Sequence, residues 1–361
     1  MNNSKKNLLS IVVLFWNDNL KTIDCLNSIY KQKKINFTLV LVDNNSKKVY
    51  SNKVLGWLKK NKIQVKKIQK PKTNLGKLNL DKKCIYIKNK INYGCGLGHN
   101  PGYEFSLENN FQYISRIDND MVLPKLLLYN LSQRLKKDKK IIALSPKIMF
   151  LDRPNLIWFR GTKIGNNLKL QKQCSDYIPG QSDSPFFKGL EKTDAIVGCA
   201  SIMRSKNLKL AGLSDPDFFY GEEDIELSHR LKKTKGKLVV DLNEKIYHAV
   251  SYTIGRNWAK NIYYNYKYRL VLLKKIGTPL DKFFGYNFFV MKFFAMLIFS
   301  FRTRYSARLI PIFYAGVHYL KKKYGDYDRQ NYKKVDKFFK KYDKKTSVIK
   351  IIKNLYAKRE I

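Results

Sequence analysis

The residues best suited to chemistry are two acidic groups, a glycine-rich segment and one histidine. In "SRIDNDMVLP" (115–124), Asp118, Asn119 and Asp120 follow directly on a short apolar run that ends at Ile117. Side chains two apart on a strand point the same way, so the two carboxylates converge just past the strand end. Converging carboxylates are hard oxygen donors of the kind that suit Mg²⁺ or Mn²⁺. A plain turn is the competing reading, because Asp and Asn form turns readily and Pro124 can open a helix. The second group is Glu222, Glu223 and Asp224 in "FFYGEEDIELSHRL". Acids in a first helical turn also complement the helix dipole, which is a sufficient reason for them by itself.

These acids stand out against their background. The 361 residues hold 71 Lys and Arg against 28 Asp and Glu, a formal net charge of +43. Such a charge invites nucleic acid, an anionic membrane surface or a phosphorylated ligand. Lys, Asn, Ile and Tyr are abundant along the whole chain, however, as in sequences encoded by A- and T-rich genes. No RRM, zinc or helix-turn-helix signature is present, so nucleic acid is not expected as a partner. With 44% hydrophobic and 14% aromatic residues, the chain is expected to be globular, one large domain with an appendage. The five cysteines include no C-x-x-C pair. Neither a disulfide framework nor a zinc site is expected, and a reducing cytoplasm suits them. The first apolar run, "LLSIVVLF", enters "WNDN" without a cleavage site and reads as a buried strand rather than a signal peptide.

Short apolar runs and amphipathic stretches alternate through the first half and must position the acids. Strands are expected at 8–15, 37–43, 84–88, 111–117 and 141–150, with helices at 19–32, 54–60, 102–110 and 126–137 between them. This alternation predicts an α/β fold with a mostly parallel central sheet flanked by helices. Ligands of such sheets sit at the carboxyl ends of the strands, where both "VDNNS" and "RIDNDM" fall. Beyond residue 150 the pattern predicts a β element at 157–165, a polar loop at 171–189, a strand at 193–205, a helix from Glu222, and strands at 237–242 and 245–252.

Chemistry thins out after residue 255, giving a catalytic domain over 1–255 and a basic, aromatic helical region over 256–361. A helix is expected at 261–276, a Lys-rich tail at 330–361. The stretch 283–301, "FFGYNFFVMKFFAMLIFSF", is barely long enough to span a bilayer and carries Lys292 at its middle. Lying in the membrane interface costs less, and a hydrophobic subdomain or a homo-oligomer seam is the further alternative.

The motifs occur in a telling order: "SIVVLFWN", "LVLVDNNS", "NYGCGLGHN", "RIDNDM", "VGCASIMRS", "FFYGEEDIELSHRL" and "IYHAVS". Over about residues 8 to 275 the chain resembles the non-processive family 2 glycosyltransferases of the GT-A fold, especially rhamnosyltransferase-like members that build surface polysaccharides. Each motif is weak singly, while seven in order are strong. The processive Q-x-x-R-W motif is absent, so one sugar per encounter is expected.

The resemblance implies a nucleotide diphosphate sugar donor, a glycan or lipid-linked acceptor, and a location at the inner face of the cell membrane. It implies that Asp43 bonds the base and that the backbone near Phe15 and Trp16 walls the nucleotide. Asn92, Gly94, Gly96 and Gly98 lie in a loop whose glycines let the chain pass close to the donor. Asp118 and Asn119 are expected beside ribose or sugar, and Asp120 as ligand of Mn²⁺ or Mg²⁺. His248 matches a position that reaches metal or diphosphate, although a packed strand histidine fits it equally. Asp224 is expected as the base that takes the acceptor proton, with Glu223 the neighbouring alternative and Glu222 a weaker one. One base and direct displacement invert the anomeric carbon. A sugar-nucleotide nucleotidyltransferase shares the sheet and the acids, but "VLFWNDN" lacks its Gly-rich basic signature.

Overall fold

The computed structural model describes residues 8–75, 80–164, 180–249, 258–303 and 309–325, so the Lys-rich tail and Cys174 lie outside the described residues. The chain divides into two compact units. Residues 1–164, 173–215 and 223–252 make the first, and 165–172, 216–222 and 253–361 the second.

The first unit begins with β1 (Leu9–Phe15), α1 (Leu20–Tyr30), β2 (Phe37–Asp43), α2 (Lys48–Lys60), β3 (Val65–Ile68) and β4 (Cys84–Lys88). It continues through α3 (Gly96–Glu108), β5 (Tyr113–Asp118), β6 (Met121–Val122), α4 (Leu127–Lys137) and β7 (Ile141–Phe150). The remainder is β8 (Leu156–Phe159), β9 (Gln181–Ser182), β10 (Leu190–Lys192), β11 (Ala200–Arg204), α5 (Ser205–Ala211), α6 (Glu223–Lys233) and β12 (Lys237–His248). The main sheet order is β10-β12-β7-β11-β5-β1-β2-β4-β3. Strands β3, β4, β2, β1, β5, β7 and β12 share one direction, while β11 runs antiparallel between β5 and β7.

Every residue of β1 and β2 is buried, as expected for strands covered on both faces. Ile11, Val13, Leu39 and Leu41 point into a core shared with α1, α2 and α4. Val12, Val40 and Val42 point the other way, toward Tyr103 and Phe105 of α3 and Leu227 and Leu231 of α6. α3 presses so closely that a Cβ at Gly102 would stand 2.4 Å from Val12 Cγ1. The parallel register pairs Phe15 with Asp43 and Leu14 with Asp118, so β1, β2 and β5 end at one edge.

The α/β expectation of a mostly parallel sheet with flanking helices holds, with local differences. α3 starts at Gly96, so most of the expected glycine loop is the first turn of a helix. The strand expected at 193–205 is confined to 200–204, and the two expected over 237–252 form one strand, Lys237–His248, with an irregularity between Asp241 and Lys245, while residues 250–252 lie outside the described residues. α2 begins at Lys48 rather than 54, and β3, β6 and α5 carry too little periodicity to be anticipated.

The second unit holds α7 (Trp258–Ile276), α8 (Pro279–Thr303) and α9 (Leu309–Leu320). Its core is aromatic around a buried cation. Lys267 is fully buried, with Nζ 4.6 Å from the Tyr263 ring centre and 4.7 Å from that of Tyr268. Its ammonium also donates to the Tyr263 hydroxyl at 3.1 Å, so ring faces and that hydroxyl stand where water would.

Candidate active site

The site is built where β5 ends. Arg116, two residues before that end, is 3% exposed, and its guanidinium ties the two acidic groups together. Nη2 donates to Glu223 Oε1 at 3.2 Å and to Cys95 Sγ at 3.0 Å, while Nε faces Asp118 Oδ1 at 3.7 Å. Gly198 makes this possible, since a Cβ there would stand 2.7 Å from Arg116 Cζ. The same glycine's N–H donates to Asp224 Oδ2 at 3.1 Å. Two segments distant in sequence, 116–120 and 223–224, are therefore held by one guanidinium and one glycine.

His99 completes the setting from α3. It is fully buried, and its Nδ1 lies 2.8 Å from the Cys95 carbonyl, which can only accept, so Nδ1 carries the proton. The unprotonated Nε2 then faces Asp118 Oδ1 at 3.7 Å. Burial, with Arg116 adding to it, holds His99 far below the usual imidazole range, so it is neutral. Burial also pushes the Asp118 carboxyl up to about 6, opposed by Arg116 and reinforced by Asp120. Arg116 stays ionised: burial works against its charge, and Cys95, Asp118 and Glu223 outweigh that.

Asp120 is reached by a second device. The short β6 pairs with the end of β12, setting His248 opposite Met121. His248 Nε2 then lies 3.3 Å from Asp120 Oδ1, and its ring meets Trp158 edge-on at 4.8 Å. Among the described residues, no three His, Cys, Asp or Glu groups converge closely enough to hold a metal ion alone. Asp120 and His248 supply two donors, and Asp118 Oδ1 makes no hydrogen bond. That set fits a cation held by one or two protein groups together with phosphate oxygens.

Asp43 is fully buried: Oδ1 accepts from the Ser46 N–H at 2.6 Å, and Oδ2 from the hydroxyls of Ser51 at 2.5 Å and Tyr86 at 2.6 Å. Phe15 points into the core, and only its backbone oxygen faces Asn44, at 2.9 Å. Trp16 is partly buried. Asn92 Oδ1 accepts from Asn44 and from the Gly94 N–H, folding the turn onto itself. Gly94 has the left-handed φ of +77° this turn requires. Gly96 and Gly98 are sites of close packing, where a Cβ would meet Glu223 Cγ at 3.0 Å and Leu14 Cδ2 at 2.7 Å. Asn119 donates to Thr22 Oγ1 at 2.9 Å. Glu222 pairs with Arg269 at 2.6 Å, a contact within the second unit.

The sequence pattern of glycosyl transferase family 2 matches residues 10–211, more than half of the chain. The chain belongs to that family. Among solved structures, GalNAc-T7 with UDP, GalNAc and Mn²⁺ aligns at a TM-score of 0.50 with 16% identity, over 67% of this chain and 43% of that one. TarS of S. aureus aligns at a TM-score of 0.46 with 15% identity, over 76% of this chain and 41% of TarS. The chain thus spans less than half the length of either, and its likeness to GalNAc-T7 is one of GT-A fold. No curated protein matches it in sequence.

Four residues of the site escape a reading of the sequence. Arg116 and Gly198 give no signal, one being another base in a basic chain and the other a small residue in a strand-like run. Asn44 sits in plain view in "VDNNS", where its turn-forming type hides that it fastens the 89–94 segment through Asn89, Asn92, Tyr93 and Gly94. Asp18 follows the left-handed Asn17, and its Oδ2 is buried without a hydrogen bond. Burial raises the Asp18 carboxyl, and after an opposing backbone hydrogen bond the charge of Asp120 adds to that rise.

Proposed function

We propose that this protein transfers one sugar from a nucleotide diphosphate sugar to a hydroxyl of a glycan or lipid-linked acceptor, with inversion, in the making of a surface polysaccharide. The observation that carries the reading is the Arg116 guanidinium, which reaches toward both Asp118 and Glu223 and so keeps the two acidic groups in one site. The sugar class and the polysaccharide rest on the motif resemblance to rhamnosyltransferase-like members.

Asp120 and His248 are the residues that would hold Mn²⁺ or Mg²⁺, and the charge of the bound ion favours departure of the diphosphate. Asp118 lies beside the ribose or sugar. Its carboxyl, pushed up to about 6 by burial, is ionised at neutral pH and can accept a hydrogen bond from a hydroxyl. Asp43, Asn44 and Asn92 act on the nucleotide through the turns they hold. Asp224 is the base: it is less buried than Glu223, and the Gly198 N–H orients its carboxylate. Glu223, 5% exposed and bound to Arg116, positions the start of α6 and leaves proton transfer to its neighbour.

Thermal shift with UDP, GDP and dTDP, with and without Mn²⁺, tests the donor site. One nucleotide is expected to stabilise the protein in a Mn²⁺-dependent way, and Asp120→Ala is expected to abolish that dependence while the unliganded melt stays intact. Equal calorimetric affinity of wild type and Asp120→Ala for nucleotide with Mn²⁺ would remove Asp120 from the site.

A further inference from the structure

The second unit carries a surface that sugar transfer does not use. α8 turns one side to its neighbours: Tyr286 and Tyr319 share a hydrogen bond of 2.6 Å, Phe289 meets Tyr266 at 6.0 Å, and Phe293 meets Phe313 at 6.1 Å. Gly285 abuts Leu273, where a Cβ would stand 2.5 Å from Leu273 Cδ2. Lys292 belongs to this packed side, with Nζ 5.5 Å from the Tyr266 ring centre. The other side presents Leu280, Phe283, Phe284, Met291, Phe294 and Ile298, each at least 45% exposed. Their spacing by threes, fours and sevens lines them along one face of the helix.

Length and composition would let the 21 residues Pro279–Phe299 cross a membrane, and hardly any of them is buried. The packing argues for a different placement. α7, which packs on the other side, ends in the exposed Lys274 and Lys275, which hydrocarbon does not accept. Lysines also gather where α8 begins. Lys274 Nζ reaches the Tyr324 hydroxyl at 3.1 Å, and the Tyr286–Tyr319 bond draws the end of α9 to the same place. Lys274, Lys275, Lys282 and Lys321 to Lys323 therefore stand at one end of the apolar face.

We infer that this face of α8 is a monotopic anchor, sunk into the acyl boundary of an anionic lipid surface with the lysine end among the headgroups. Charge decides the occupant. Two copies paired in parallel through α8 would bring their lysine ends together, and a net charge of +43 opposes pairing in either direction. An anionic leaflet attracts the same charges, each adding about fivefold in affinity near the surface. The inference is independent of the reaction proposed above.

The test is cosedimentation of the full chain with vesicles of phosphatidylcholine alone and of equal parts phosphatidylcholine and phosphatidylglycerol. Binding is expected to the mixed vesicles, weakly to the neutral ones, and to be lost in high salt. The combined change Phe284→Gln, Met291→Gln and Ile298→Gln alters exposed positions only. It is expected to weaken vesicle binding on the order of tenfold or more, with an unchanged melting profile. Lys282→Gln with Lys321→Gln and Lys322→Gln is expected to flatten the salt dependence. Four results overturn the inference. These are no binding to either vesicle, unaltered binding by the glutamine variant, a pellet that resists alkaline carbonate, or a lipid-free dimer that the glutamine variant dissolves.

Discussion

Replacing Arg116 by Gln removes the buried cation that faces Asp118 and Glu223 while keeping a polar side chain. Taking one partner from a buried ion pair leaves an uncompensated charge and costs about 3–5 kcal/mol. Here Glu223 loses its 3.2 Å contact, and Asp118 loses the group that opposes the rise of its pKa. A carboxyl raised in the folded state favours folding fully below its unfolded pKa, near 4, and loses that contribution as pH climbs through the folded value. In the wild type that decline runs from about 4 to about 6 for Asp118. Without Arg116 the folded pKa moves higher still, and each further unit adds about 1.4 kcal/mol of penalty above it. Urea unfolding in metal-free buffer at pH 5 and pH 8 measures the difference. Arg116→Gln is expected to lose about 3–5 kcal/mol at pH 8 and about 1–2 kcal/mol less at pH 5. Adding Glu223→Gln is expected to recover part of the loss at pH 8. Equal losses at both pH values, or a loss below about 1 kcal/mol at pH 8, would refute the idea that this guanidinium balances the two acids.

Two further outcomes follow from contacts described above. Asp224→Asn keeps the shape and the Gly198 contact but not the basicity. Donor affinity should stay within a few-fold while turnover falls on the order of a hundredfold. NMR should find the product anomer inverted, and a retained anomer or near-normal turnover would return the acid to a helix-start role. Gly102→Ala sets a methyl 2.4 Å from Val12 Cγ1 and should destabilise by about 1–3 kcal/mol in urea unfolding. An effect within about 0.5 kcal/mol would mean that α3 is free to lift from β1.

The sheet was legible because its central strands are buried on both faces. "LSIVVLF" and "FTLVLVD" leave little choice but a parallel interior, and the acids stood out as polar residues ending such runs. The direction of β11 was not legible, since an apolar run has no arrow and only its partners β5 and β7 define one. Hydrophobic periodicity also missed the first turn of α3, where glycines are there for contact with Leu14 and Glu223 rather than for a loop. In the site, the sequence points to acids but is silent on what holds them. Arg116, Gly198 and His99 act through contacts between residues far apart in the chain. Glu222, one residue from Glu223, binds Arg269 because Gly221 and Glu222 both take left-handed φ, at +88° and +67°.

The antiparallel β11 sits between two strands that are made before it. A ribosome delivers β5 and β7 well ahead of Ala200–Arg204, and for seconds at ordinary elongation rates their facing edges have no strand to bond. An open edge invites pairing with any other extended chain. The nascent protein is therefore most exposed to aggregation during that interval. A slow codon run or a stalled ribosome between residues 150 and 200 should harm its yield more than the same delay placed after β11. Neither Asp224 nor His248 has yet been synthesised at that point, so the interval of greatest hazard comes before any chemistry can begin.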